Sequence, residues 1–351
     1  MTTTLTIRKP DDFHCHLRQK NQGKIFPTAV GFAAKCFGRV VAMGNTIPAI
    51  ATADDADVYR QEILATTPAG VKFEPIMTIM LTKQTTPETV SGAVKQGIRV
   101  LKYIPEGAST NSEESVPLEK LSDYYPVLET ARDSGMIFSG HWESLRDKDG
   151  RELNDMDRET AAIPFLDKIA KLFPNLQIVV EHASTIEMLD YVSRSPMNVG
   201  CTLTVHHALL NYQDVCDDRG RIQNPHHYCK PILKSERDRI AVLRAMLSGN
   251  PHFFFGSDSA PHLKGAKEKI PPATGIFSAP VATPLLAYIF ETNGSLGIIE
   301  NFVSVFGADF YGLPQNTEAI ELVKKEWAVP DEYNRIVPFM AGKTMHWQVA
   351  E

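Results

Sequence analysis

Apolar residues in this chain come in short runs that stop at polar or conformationally special positions. Eight such runs read as strands. They cover residues 5–7, leading into Asp12-Phe13-His14-Cys15-His16, and then 39–43, 73–81, 98–104, 136–139, 176–180, 199–205 and 252–255. Segments of helical character lie between most of them, at 53–66, 86–96, 118–134, 158–173, 187–194 and 235–247. Strands that alternate with helices predict a parallel sheet, and eight repeats favour a closed (β/α)8 barrel over an open sheet. After Pro280 the pattern is helical again, followed by a Pro-punctuated tail from Pro330. The expected fold is therefore an α/β (β/α)8 TIM barrel with a C-terminal helical extension. No linker divides the chain, so residues 1–351 are expected to form one domain. The small, polar stretches at 107–115 and 271–275 read as exposed loops.

Composition narrows the partners. A net charge of -6 leaves no basic excess to neutralise phosphates, which argues against nucleic acid. Five cysteines, an odd number with no CxxC pair, point to free thiols in a reducing compartment. No apolar run is long enough to span a bilayer, and the N-terminus lacks the apolar core of a signal peptide. The expectation is a cytoplasmic protein without a membrane partner.

The chemistry gathers at the ends of the apolar runs, where a barrel of this class carries its active site. On an extended backbone His14 and His16 project to one side and Cys15 to the other. A bare HxH pair divides between surface histidines and metal ligands. His141, His182 and Asp258 follow the fifth, sixth and eighth runs, and Lys102 lies in the fourth. Taken singly, each has an ordinary structural role. Together, four histidines and a carboxylate at one mouth suit zinc. Lys102 shares a face with Ile98 and Val100, so its ammonium would be desolvated beside a cation cluster. Its neutral amine is nucleophilic and can add CO2 to give a carbamate, whose two oxygens can bridge two metals. Arg18, two residues past His16, suits a planar carboxylate; the alternative is a surface ion pair. His206 and His207 also end a run and are read as structural.

This order of ligands resembles the amidohydrolase superfamily, and finer motifs resemble the bacterial class II dihydroorotases. They are Pro10 to Arg18 (PDDFHCHLR), Met43-Gly44-Asn45, Pro225 to Lys234 (PHHYCKPILK), Gly256 to His262 (GSDSAPH) with Lys267-Glu268, and Phe310 to Pro314 (FYGLP). The similarity runs from about residue 7 to the C-terminus. Phe13, Cys15, Gly44 and Lys230 stand where tryptophan, leucine, proline and leucine are usual, and residues 270–274 replace a Cys-rich loop of some relatives.

The resemblance implies reversible cyclisation of N-carbamoyl-L-aspartate to (S)-dihydroorotate in pyrimidine biosynthesis. It implies two zinc ions per subunit, bridged by carbamylated Lys102, that polarise the substrate and activate a water. His14, His16 and Asp258 would hold one ion and His141 and His182 the other. Asp258 would also carry the proton. Arg18, Asn45 and His262 would bind the substrate carboxylate, with the Lys230 backbone, Thr110, Thr274, His16 and His141 as further contacts and Ser109 and Thr110 closing over the site. A homodimer is also implied. The alternatives are a hydantoinase or dihydropyrimidinase, and a non-catalytic scaffold of the same fold. Too few residues precede His14 to build the β-sandwich of the hydantoinases.

Overall fold

Pro10 divides what the apolar pattern joins. In the computed structural model, which describes residues 3–350, the first strand, β1 (Thr4–Arg8), does not enter the barrel. The barrel begins after Pro10, at β2 (Asp11–Cys15). Proline offers no N–H to a ladder, and the chain changes sheets there. The parallel strands that follow are β3 (Arg39–Ala42), β4 (Glu74–Met80), β5 (Val100–Tyr103), β6 (Ile137–Gly140), β7 (Ile178–Val180), β8 (Val199–Leu203) and β9 (Phe253–Phe255). Each pairs with the next, giving an eight-stranded sheet in sequence order. The seam between its ends is closed by Asp258 N donating to His14 O (2.9 Å) and His16 N donating to Ser259 O (3.0 Å). The nearly closed barrel thus carries His14, His16 and Asp258 on its own closing bonds.

Most helices fall where the pattern puts them, as at Ala53–Thr66 and Arg158–Leu172. Reciprocal capping boxes, Thr52 with Asp55 and Ser235 with Asp238, fix two of the starts. The helix Ile25–Cys36 is absent from the sequence expectation. Eight of its twelve residues are buried, so it has no polar stripe to reveal a period.

Helices do follow Pro280, at Ala282–Thr292 and Phe306–Phe310. The tail then forms β10 (Ala319–Ala328) and β11 (Thr344–Val349), where no strand was expected. β10 pairs antiparallel with both β1 and β11, in the order β1-β10-β11. Lys324, Lys325 and Glu326 mask its alternation. Among the described residues, no helix is long and apolar enough to cross a membrane.

One irregularity shapes the mouth. The register of β2 against β3 shifts between Asp12 and Cys15, so one extra residue is accommodated in β2. Phe13 consequently packs in the barrel floor with Val41, Val100, Ile137, Val179 and Phe254. His14, the next residue, still reaches the site above. Gly307 is required beside it, because a Cβ there would come within 2.2 Å of the Phe13 ring.

Candidate metal centre and substrate pocket

Two sets of ligand atoms converge at the C-terminal mouth. His14 Nε2 lies 3.3 Å from His16 Nε2 and 3.4 Å from Asp258 Oδ1, and His16 Nε2 lies 3.2 Å from the same oxygen. Across the barrel, His141 Nδ1 lies 3.3 Å from His182 Nε2. All five residues except His16 are buried.

Their tautomers are set by carboxylates. His14 donates from Nδ1 to Glu181 (2.7 Å), which leaves a lone pair on Nε2. His141 donates from Nε2 to Glu143 (2.8 Å), which leaves a lone pair on Nδ1. In both rings the free lone pair is the one aimed at the cluster, the arrangement a metal ligand needs. Glu181 also accepts from Thr202 Oγ1 (2.6 Å) and from Ser139 Oγ. Burial pushes its carboxyl up, but His14 and Lys102 outweigh this and hold it at about 2. Burial brings His16 down to about 4 against the opposing pull of Asp258. It also lowers His182, aided by His141 and His14. Asp258 is held well below the usual carboxylate range: burial opposes this, and the hydrogen bond from His16 and the nearby His14 prevail.

Lys102 is fully buried, and its Nζ has no hydrogen-bond partner among the described residues. Burial lowers its amine to about 8, against the opposing Glu181 and Asp258 carboxylates. Val100, on the same face of β5, lies in the barrel floor as the period predicts. An orphan amine near His141, His182 and Asp258 fits a bridging ligand poorly as an ammonium and well as a carbamate. The donor set of imidazole nitrogens and one carboxylate fits zinc.

Beside this centre, the remaining expected residues form a chain of contacts. Arg18 donates from Nε to Pro261 O (2.9 Å) and from Nη2 to His262 Nε2 (2.8 Å). That imidazole nitrogen also lies 2.8 Å from Thr274 O, so it can accept from Arg18 or donate to Thr274, not both. Thr274 Oγ1 meets Thr110 Oγ1 at 2.5 Å, and Thr110 O accepts from Asn45 Nδ2 at 3.1 Å. The loop bearing Ser109 and Thr110 is therefore drawn over the mouth. Lys230 is tied by its ammonium to Asp155 (2.6 Å), which leaves its backbone to face other partners. Arg18, His182 and Asp258 all have φ in the left-handed region, at 69°, 42° and 41°. Strained backbone of this kind concentrates at functional sites.

Glu181 and Glu143 were missed in the sequence. Glu181 directly precedes His182, so alternation would send the two to opposite faces. Glu181 shares the inward face of Val179, and the left-handed turn at His182 brings that imidazole inward as well.

No family model matches the chain. A dihydroorotase of Ectopseudomonas mendocina is 42% identical, covering 100% of this chain and 99% of that one. The chain belongs to the dihydroorotase family. The crystal structure of the Campylobacter jejuni dihydroorotase superposes with a TM-score of 0.88 at 32% identity, over 100% of this chain and 98% of that one. That of the Saccharomyces cerevisiae dihydroorotase, in complex with 5-fluoroorotic acid, gives 0.90 at 29% identity, over 99% and 98%. As a dihydroorotase-family chain it is a cyclic amidohydrolase by kinship, built on the barrel that its neighbours share.

Proposed function

We propose that this chain catalyses the reversible cyclisation of N-carbamoyl-L-aspartate to (S)-dihydroorotate. The observation that carries this reading is the convergence of imidazole lone pairs and the Asp258 carboxylate on one cluster, near the orphan Lys102 amine. His14, His16 and Asp258 would hold one zinc ion, His141 and His182 the other, and carbamylated Lys102 both. When bound, the two ions polarise the amide carbonyl and make an activated water available near neutral pH.

The chain's own residues do the rest. Glu181 and Glu143 hold His14 and His141 in the ligating tautomer. Asp258 turns Oδ1 toward both His14 and His16, and its other oxygen takes the proton and returns it to the leaving nitrogen. Arg18 pairs with the substrate carboxylate, with Asn45 and His262 beside it. The Thr110–Thr274 contact closes the loop and excludes water. The fluoroorotate bound by the yeast relative is likewise a ring acid, which supports an acidic substrate here. By resemblance the chain works as a homodimer, which sedimentation will check.

The deciding experiment pairs metal analysis with hydrolysis of dihydroorotate and of a neutral dihydropyrimidine. Activity on dihydroorotate that chelation abolishes and zinc restores supports the reading. Preference for the neutral ring would overturn the substrate, and full activity without metal would overturn the centre.

A further inference from the structure

The end of β8 carries a second cluster of ligand atoms. His206 and His207 lie on the short helix Val205–Leu209, and Cys229 lies on the loop leading to Lys230. All three are buried, and one ligand atom from each lies within 4.8 Å of the others. Neither ring nitrogen of His206 has a hydrogen-bond partner among the described residues, although the residue is fully buried. Buried polar groups are nearly always paired, so two orphan nitrogens in one ring point to a missing partner. The other two residues aim at a common point: His207 Nε2 lies 3.1 Å and Cys229 Sγ 3.3 Å from Pro231 O.

We propose that His206, His207 and Cys229 form a separate binding site for a thiophilic transition-metal ion of the zinc class, with the Pro231 carbonyl oxygen beside it. Two imidazoles and a thiolate select such a cation over magnesium or calcium, which want oxygen ligands. On binding, the Cys229 thiol releases its proton to solvent, and its bond to Pro231 O gives way to a sulfur–metal bond. The His207 proton moves from Nε2 to Nδ1, where Thr204 Oγ1, 2.8 Å away, accepts it. Nε2 then presents a lone pair. The cluster shares no residue with the centre around Lys102 and, unlike it, contains a thiol. Its effect is to pin the Cys229-Lys230-Pro231 segment to the end of β8. That this steadies the Lys230 backbone against substrate rests on the proposed reaction; the site itself does not.

The test uses full-length protein stripped with a chelator and titrated anaerobically with cobalt(II). The expected result is a near-ultraviolet thiolate-to-cobalt charge-transfer band in the parent, lost in Cys229→Ser and in His206→Asn. Cys229→Ser should also retain one fewer equivalent of zinc per chain. The proposed centre around Lys102 has no thiolate ligand, so its success or failure leaves this band unaffected. A parent protein without the band overturns the proposal even if neither variant folds, as does a band that persists in Cys229→Ser. In either case an ordinary buried water is the partner of His206.

Discussion

His14 donates from Nδ1 to Oε2 of Glu181 over 2.7 Å, and the same carboxylate oxygen takes the Thr202 hydroxyl at 2.6 Å. One buried carboxylate thereby fixes which nitrogen of His14 faces the cluster. Glu181→Gln keeps the shape but turns an acceptor into a group that also donates. Metal retention should weaken about 10–100-fold, the usual scale for losing an outer-shell partner. Competition against a chromogenic chelator measures this; parent-like affinity would show that the bond only fills space.

Lys102→Ala should abolish activity, because the proposed bridging group disappears while the histidines remain. Short carboxylic acids, which offer two oxygens in the same place, should restore part of it. Turnover near the parent level without added acid would refute the bridging role.

Arg18→Met should impair hydrolysis of dihydroorotate far more than that of a neutral dihydropyrimidine. A charge-assisted hydrogen bond is worth about 1.5–3 kcal/mol, so a loss of roughly tenfold to over a hundredfold in kcat/KM is expected. An equal loss on both substrates would assign Arg18 to folding, through its bonds to Pro261 and His262.

Asp258→Asn retains one oxygen for the metal but cannot carry a proton. The variant should keep much of its metal and lose on the order of 100-fold or more in rate. Near-normal turnover with metal bound would reduce Asp258 to a ligand.

Acid should destabilise the metal-free protein through its buried histidines, against a smaller opposing contribution from Asp12 and Glu159, whose carboxyls burial raises to about 6 and about 7. Burial holds His16 and His207 at about 4, below the ordinary 6.5. As pH falls from 6.5 to 4 the unfolded chain takes up protons on both residues and the folded chain does not. The unfolded state binds more protons in this window, so stability falls with falling pH. Urea midpoints of chelated protein should drop from pH 6.5 to 4, and His207→Gln should show a shallower drop. A slope that the substitution leaves unchanged would contradict the assignment.

The barrel was legible because its strands, buried on both faces, read as apolar runs with polar stops. Period two correctly placed His14 with His16 and Lys102 with Val100. It failed where the backbone departs from regularity. Pro10 splits residues 5–7 from the barrel, the extra residue in β2 turns Phe13 and His14 inward together, and the turn at His182 brings that imidazole in beside Glu181, which shares the inward face of Val179. Glu143 was invisible for another reason: nothing distinguishes one carboxylate in a sequence until the imidazole it faces is located. The helix Ile25–Cys36 and the strands β10 and β11 were missed because one lacks polar residues and the others carry many.

The pairing of β1 with β10 bears on how the chain is made. Arg8 meets Ala319 across the ladder, so the N-terminal strand emerges from the ribosome long before its partner exists. At 5–20 residues per second, roughly 300 intervening residues take about 15–60 s to synthesise. Throughout that time β1 is an unpaired edge open to neighbouring chains. Its short Thr-Leu-Thr-Ile-Arg sequence, ended by Lys9 and Pro10, carries the charge and the proline that discourage such pairing. The residues that divide the two sheets in the finished fold thus also guard the nascent chain.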